Sequence, residues 1–143
     1  MVNTVTTMLT ASLGGSSVVG KNPQWITIVR NGFPYRTLES ARTYWQVDEE
    51  LLRKLVGLST RTVARRKAKP KPLTSEQSER VYRFCKLMAT ATDVLESREV
   101  AASWVETPNV AIDGMKPIDL LDTGIGFQRV LDVLTRIEFG VYS

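Results

Sequence analysis

A short segment near the middle of the chain combines hydroxyl and guanidinium side chains in an order that suits contacts with nucleic acid. Serine and threonine stand at its start and cations follow at helical spacing; the residues are Ser59, Thr60, Arg61, Thr62, Arg65, Arg66 and Lys67. Hydroxyl and backbone N–H groups at a helix N-terminus bind phosphate, and arginine pairs with guanine edges. We therefore predict that these seven residues contact DNA.

Groups that catalyse reactions or hold metals are scarce. The chain has no histidine and a single cysteine, Cys85, so it lacks the most common general base and any pair of thiolate ligands. Asp119 and Asp122 stand three residues apart, but without a third ligand type they suit a helix N-terminus better than a metal site. Gly124-Ile125-Gly126 is too short for a dinucleotide-binding loop. The sequence predicts a protein that is not an enzyme and has no cofactor or metal.

Charge is unevenly distributed along the 143 residues. Residues 53–86 carry eleven basic and two acidic side chains, whereas residues 87–143 carry four basic and nine acidic ones. A segment this basic favours a polyanionic partner, which would repel the acidic C-terminal third. This asymmetry indicates two surfaces for two different partners.

The N-terminal region has neither the basic start nor the uninterrupted apolar stretch of a signal peptide. No apolar run in the chain approaches the roughly 20 residues that a membrane helix needs. We expect a cytoplasmic protein without membrane contact.

Capping signals place the basic segment on a helix-turn-helix. Asp48 suits the N-cap of a first helix, Gly57 its end, and Ser59 or Thr60 the cap of a second helix over residues 61–68. The second helix would present the basic residues to the major groove. A basic, solvated helix on an ordinary helical bundle fits the same pattern and remains the alternative.

Helices are also predicted on both sides of this motif. Thr74 and Gln77 match a capping box, and a long helix with one apolar face follows to about Leu95. Shorter helices are predicted over residues 98–105, 117–121 and 127–139. The sequence therefore predicts an all-α fold in four parts: a flexible arm over 1–24, a helix-turn-helix domain over 25–73, a connecting helix over 74–97 and a small C-terminal domain over 98–143.

The first part of the chain gives weaker signals. Residues 1–24 are rich in threonine, serine and glycine, which is typical of a flexible linker. Residues 25–29, Trp-Ile-Thr-Ile-Val, are short and β-branched, so an extended segment or a lone strand is expected there.

The C-terminal third resembles a known family of protein-binding domains. Residues 101–124 have the sequence AASWVETPNVAIDGMKPIDLLDTG, in which a Pro-Asn pair and an aliphatic residue before Gly precede Pro-hydrophobic-Asp-Leu-Leu-x-Thr. Gly126, Val130 and Arg-Ile-x-x-Gly at 136–140 continue the pattern. This run is similar to the toxin-binding domain of the MbcA/ParS/Xre antitoxins, and residues 57–67 and 72–81 resemble the family's Xre-like helix-turn-helix and connecting helix.

The resemblance implies an antitoxin of a type II toxin–antitoxin system whose partner is a RES-domain toxin that degrades NAD. In that family the C-terminal end of the antitoxin lies at the toxin's active-site cleft. Carried over, toxin binding is assigned to Arg136, Phe139, Gly140, Val141, Tyr142 and Ser143. The resemblance also implies that the protein represses its own operon by binding operator DNA, as a homodimer or as a hetero-oligomer with the toxin.

Two other functions are compatible with the residues. A helix-turn-helix transcription regulator without a toxin partner would bind a specific operator and form no stable complex with an enzyme. An adaptor without a DNA role would carry the basic segment only as a solvated surface, so that replacing Arg65 and Arg66 by alanine would leave gel-shift behaviour unchanged.

Overall fold

Five of the α-helices begin where a short polar side chain accepts a hydrogen bond from the backbone. In the computed structural model, which describes residues 4–140, five α-helices begin after such an N-cap: Asp48, Ser59, Thr74, Ser97 and Thr123. Each cap satisfies a backbone donor that the first turn of the helix leaves free. The predicted all-α class is confirmed, since the described residues contain no strand and only one isolated bridge, between Asn109 and Met115.

The α-helices, numbered along the chain, are α1 Thr4–Ser12, α2 Ser16–Val19, α3 Trp25–Asn31, α4 Arg36–Trp45, α5 Glu49–Val56, α6 Thr60–Ala68, α7 Ser75–Leu95, α8 Arg98–Val105 and α9 Gly124–Glu138. Two 3₁₀ turns, Val110–Ile112 and Pro117–Leu120, lie between α8 and α9. The last helix begins three residues earlier than predicted, because Thr123 caps it. Across residues 4–140 no helix is both long enough and apolar enough to span a membrane.

Helix α7 is the element on which most of the others pack. Its capping box is complete: Thr74 Oγ1 accepts from the Gln77 N–H at 3.1 Å, and Gln77 Oε1 accepts from the Thr74 N–H at 2.9 Å. Its buried side chains lie around most of its circumference: Ser78, Val81, Phe84, Cys85, Leu87, Met88, Ala89 and Ala91. A helix this apolar requires neighbours on several sides, and α1, α3, α4, α5, α8 and α9 all contact it.

The flexible arm predicted over residues 1–24 is wrong for the part that the structure describes. Residues 4–12 and 16–19 are helical, and the side chains of Leu9 and Leu13 are 2% and 0% exposed. These leucines recur at one-turn spacing, Leu9 within α1 and Leu13 just after it, and α1 packs against α7. The Ser12 hydroxyl between them donates to the Leu9 carbonyl at 2.9 Å, so its burial leaves no unpaired donor. A core helix is therefore present where composition alone indicated a linker.

The extended segment or strand predicted at residues 25–29 is also wrong, because these residues begin α3. Trp25 packs its ring against Tyr82 of α7, with 5.2 Å between the ring centroids. Ile28 and Val29 pack on the same core at helical spacing. Tertiary packing thus outweighs the weak strand preference of β-branched residues.

The turn after α3 is held close to the start of α7. Gly32 has a φ of 86°, and a Cβ at this position would lie 2.1 Å from the Leu73 carbonyl oxygen, so only glycine fits. The Phe33 N–H donates to Ser78 Oγ at 2.9 Å, and the Leu73 N–H donates to the Phe33 carbonyl at 2.9 Å. The beginning of α4 is therefore positioned by α7.

Packing of α1 on α7 predicts a large cost for shortening its buried leucine. We expect Leu9→Ala to lower the free energy of unfolding by about 2–5 kcal/mol, because it removes buried methyl groups and leaves a cavity. Thr4→Ala, at an exposed position of the same helix, is the control and should change stability by less than about 0.5 kcal/mol. Urea unfolding followed by circular dichroism measures both. Equal stability of the two variants would mean that α1 is not part of the core.

Candidate functional site

Residues 48–68 form the helix-turn-helix predicted from the sequence. Gly57 ends α5 in the left-handed conformation, with a φ of 84°, and Leu58 is buried beneath the turn. Ser59 then caps α6: its hydroxyl accepts from the Thr62 N–H at 3.0 Å and donates to Thr62 Oγ1 at 2.8 Å. The start of α6 is thereby fixed relative to α5.

Two basic side chains in this region stabilise the motif itself. Arg53 donates from Nη1 to the Leu58 carbonyl at 2.6 Å and pairs with Glu50 at 2.6 Å, which lowers the pKa of the Glu50 carboxyl. Lys67 near the end of α6 pairs with Glu49 at the start of α5 at 2.8 Å, and this hydrogen bond raises the pKa of Lys67. Part of the basic charge counted in the sequence therefore supports the fold.

The seven residues predicted to contact DNA all lie on α6 or at its N-cap, but their surroundings differ. Thr60, Arg61 and Arg65 are exposed, and neither arginine forms an ion pair within residues 4–140. Ser59 and Lys67 are engaged in the cap and in the ion pair with α5. The structure therefore brings the predicted set together and leaves Arg61 and Arg65 available for a ligand.

A second surface, on the C-terminal domain, exposes apolar side chains. Val110 is 94% exposed, Ile125 86% and Met115 43%. The Arg129–Asp113 ion pair, at 3.0 Å, joins α9 to the loop that carries Val110 and Met115, and Ile125 precedes Arg129 by one helical turn. Large apolar residues grouped on one exposed surface are typical of a protein-binding site.

This surface continues along the exposed side of α9. Arg136 is exposed in the last turn, and Phe139, just after the helix, is 72% exposed. On the opposite side Val130 and Leu134 are fully buried. Of the predicted toxin-binding residues, Arg136, Phe139 and Gly140 thus lie at the C-terminal end of α9, with Gly140 at a φ of 65°. The other three, residues 141–143, lie outside the described residues.

The start of α9 is placed by a close backbone approach. A Cβ at Gly126 would lie 2.2 Å from the Leu120 carbonyl oxygen, so the second 3₁₀ turn and α9 can meet only at glycine. The Gly126 N–H donates to Thr123 Oγ1 at 3.0 Å, which completes the cap. Gly126 is therefore required by the packing of α9 on the second 3₁₀ turn.

Two arginines tie the C-terminal domain to the rest of the molecule. Arg83 of α7 donates to the Leu121 carbonyl at 3.1 Å and pairs with Glu79 at 2.9 Å, with only 12% of its side chain exposed. Arg98 of α8 lies over the Tyr44 ring, 4.1 Å from its centroid, and donates to the Tyr44 carbonyl at 3.1 Å. Both surfaces are therefore held on one framework.

The structure offers no catalytic group among the residues singled out in the sequence. Cys85 is completely buried, and burial raises the pKa of its thiol to about 12, so the nucleophilic thiolate is absent at neutral pH. Asp119 and Asp122 are both exposed. Over residues 4–140 no group of three or more acidic or cysteine side chains is placed to hold a metal ion.

Together the fold and the two surfaces define a helix-turn-helix protein with an attached protein-binding domain. Residues 24–85 match the model of the antitoxin Xre-like helix-turn-helix domain, and residues 90–140 match that of the antitoxin Xre/MbcA/ParS C-terminal toxin-binding domain. The chain belongs to the Xre/MbcA/ParS antitoxin family. It is an antitoxin of a type II toxin–antitoxin system rather than an enzyme, with a DNA-binding and a toxin-binding domain.

Similar proteins cover most of the chain. The Prs ADP-ribosylating antitoxin of a Sphingobium species is 31% identical over an alignment of 127 residues that covers 82% of this chain and 80% of the relative. An antitoxin Xre of Yersinia enterocolitica is 28% identical, over 80% of this chain and 78% of the relative. An antitoxin Xre of Photorhabdus laumondii is 25% identical, over 90% of this chain and 96% of the relative.

Sequence reasoning did not select three residues of the exposed apolar surface, Val110, Met115 and Ile125. All three stand inside or next to the motif that carries the family resemblance, but their types alone favour burial. Ile125 stands between two glycines in Gly-Ile-Gly, and this local pattern says nothing of which side of α9 faces solvent. Their exposure depends on tertiary packing, and only the structure reveals it.

Arg83 provides a test of how the C-terminal domain is attached. Arg83→Gln should lower the free energy of unfolding by about 1–3 kcal/mol, because it leaves the Leu121 carbonyl without its charged donor. Arg80→Gln is a matched control on the same helix, since Arg80 also pairs with a glutamate four residues earlier, at 3.2 Å, but forms no hydrogen bond or ion pair with residues 98–140. Its cost should stay below about 1 kcal/mol.

Hydrogen exchange followed by mass spectrometry gives the second readout for this pair. Faster exchange at the start of α9 is expected in Arg83→Gln alone. The same exchange rates in both variants would contradict a structural role for the Arg83–Leu121 hydrogen bond.

Proposed function

We propose that this antitoxin neutralises a RES-domain toxin by occluding its active site with the C-terminal segment. The observation that carries the proposal is the exposed apolar surface of the toxin-binding domain, on which Val110 and Ile125 are almost fully accessible. Side chains of this kind become anchors when a partner buries them. The proposed toxin contacts include the end of α9 and the residues after it: Arg136, Phe139, Gly140, Val141, Tyr142 and Ser143.

The charge of the C-terminal third supports a partner of opposite charge. Residues 87–143 carry more acidic than basic side chains, and a nucleotide-binding cleft presents basic groups to its substrate. Gly140, with a φ of 65°, directs the chain out of α9 beside the exposed Phe139 ring. Insertion of this end into a cleft would block it sterically, without any catalytic contribution from the antitoxin.

A pair of charge substitutions tests the apolar surface. Ile125→Asp should weaken the complex with the toxin encoded beside this gene by at least about 2 kcal/mol, or roughly 30-fold, because it places a carboxylate in a desolvated interface. Ile26→Asp is the control, since Ile26 is 70% exposed on α3 in the helix-turn-helix region. Surface plasmon resonance with the catalytically inactive toxin measures both. Equal affinities would exclude this surface from the interface.

Deletion of residues 139–143 separates occlusion from binding. The shortened protein should keep its fold and part of its affinity through Val110 and Ile125, but lose the ability to rescue growth when the toxin is co-expressed. Full rescue by the shortened protein would refute occlusion by the C-terminal segment. If pull-down from native cells recovers no toxin at all, the alternative of a transcription regulator without a toxin partner is favoured.

The chemistry of the toxin has a second candidate. One relative bears the name Prs ADP-ribosylating antitoxin, so the toxin blocked by this chain would either hydrolyse NAD or transfer ADP-ribose to a protein. The two activities differ in product. Loss of cellular NAD without labelled protein supports the RES-type toxin, whereas transfer of label from radioactive NAD to protein supports the other.

We also propose that the helix-turn-helix binds operator DNA in the cytoplasm and represses the antitoxin's own operon. The proposed contacts are Ser59, Thr60, Arg61, Thr62, Arg65, Arg66 and Lys67. The exposed arginines Arg61 and Arg65 support this assignment, because they lack carboxylate partners within residues 4–140 and follow a capped helix N-terminus. A homodimer, or a hetero-oligomer with the toxin, would present two such helices to a two-fold operator.

Substitution of one exposed arginine tests the DNA interface. Arg65→Ala should weaken binding to the promoter of the operon by about 1–3 kcal/mol, because one guanidinium contact with a base or phosphate is lost. Arg30→Ala is the control, since Arg30 is also exposed but lies on α3. Gel shifts at several salt concentrations measure both variants. Unchanged affinity for Arg65→Ala, together with Arg66→Ala, would favour the adaptor without a DNA role.

A further inference from the structure

A cavity of about 440 Å³ lies beneath the recognition helix α6, between α4, α5 and α6. Its floor is apolar and is formed largely by Leu38, Leu52, Leu58 and Val63. The volume falls within the range of small-molecule sites in proteins, roughly 300–1,000 Å³. None of the proposed toxin contacts that the structure describes lines it, so this cavity is separate from the toxin-binding surface.

The rim of the cavity carries positive charge that the protein itself leaves unpaired. Arg42 and Lys67 are neutralised by glutamates of α4 and α5. Arg36 and Arg66 also line the cavity, and neither forms an ion pair within residues 4–140. Burial raises the pKa of Tyr35, which lines the cavity as well, so its hydroxyl stays protonated at neutral pH and can donate a hydrogen bond.

We propose that this cavity binds a small organic anion with an aromatic or branched apolar body. The apolar floor would bury the body, while Arg36 and Arg66 would bind the acidic group through charge-assisted hydrogen bonds. A nucleic acid phosphate has no apolar body to cover the leucines. A neutral apolar molecule would leave both guanidinium groups without a counter-charge.

Occupancy of the cavity would act directly on the recognition helix. Among residues 60–68, which form α6, Val63 is the one buried residue. Its side chain belongs to the cavity floor. A helix held by so little burial opens locally at low cost. A molecule that packs against Val63 stabilises the closed position of α6 in proportion to its own binding. The cavity is thus placed to make DNA binding responsive to a metabolite.

The test uses the full chain and two matched probes, 2-naphthylacetate and its neutral amide, 2-naphthylacetamide. In a titration followed by ¹H–¹⁵N NMR, the acid should shift backbone amide signals of α4, α5 and α6 and bind at least about tenfold more tightly than the amide. It should also slow hydrogen exchange of the α6 amides. Signals from α9 should not move.

Two variants locate the site and one serves as control. Leu38→Trp fills the floor and should abolish the shifts, while Arg36→Gln should weaken binding of the acid about tenfold without affecting the amide. Arg30→Gln, an exposed charge on α3, should leave binding unchanged. Because Arg36 is exposed, Arg36→Gln is expected to fold even if Leu38→Trp does not.

Three results would overturn the proposal. Equal affinities for the acid and the amide would contradict selectivity for an anion. Absence of saturable binding at ligand concentrations up to about 10 mM would contradict the existence of the site. A change in oligomeric state with Leu38→Trp, measured by light scattering, would show that a second copy of the chain covers the cavity instead. Failure here leaves the proposed antitoxin function untouched, because toxin binding and growth rescue are measured independently of these probes.

Discussion

Burial of α7 on most of its circumference determines how the other helices are arranged. At 21 residues the helix is about 30 Å long, and its apolar side chains point in several directions, so neighbours must cover it on several sides. The helix-turn-helix and the toxin-binding domain are two of these neighbours, and α1 is a third. The two binding surfaces are therefore parts of one packed structure around a shared helix, joined further by the Arg83 and Arg98 contacts.

The positive charge of the middle segment has two uses that a net charge cannot distinguish. Arg53 stabilises the turn of the helix-turn-helix through its hydrogen bond to the Leu58 carbonyl. Arg83 connects α7 to the end of the second 3₁₀ turn through its hydrogen bond to the Leu121 carbonyl. Arg61 and Arg65 remain exposed and unpaired within residues 4–140, and they are among the charges that a polyanion can neutralise. Because only such charges release counterions on binding, the salt dependence of DNA binding should reflect this smaller set rather than the whole basic segment.

The sequence predicted those features that depend on a few neighbouring residues. The caps at Asp48 and Thr74 are local hydrogen bonds between a side chain and a backbone N–H two or three residues away, so residue type and spacing suffice to find them. Helix α1 was not predicted because its apolar residues stand among threonine and serine residues. The helix is stabilised by packing on α7, which is distant in the sequence. The exposure of Ile125 is likewise a tertiary property, and so is the cavity under α6. Residue types carried the family resemblance, but they did not show which apolar positions are left uncovered.

Packing of α1 also bears on how fragments of this protein behave. The matched helix-turn-helix model begins at residue 24, so a fragment cut there would lose Leu9 and Leu13 and uncover a side of α7. Since α7 also supports α8 and α9, the damage would spread to the toxin-binding domain, far from the cut in sequence. The start of the domain as defined by sequence similarity, residue 24, thus differs from the start of the packed structure, which includes α1. We expect the cooperative unit to include α1, so that residues 24–143 alone would not fold as stably as the whole chain.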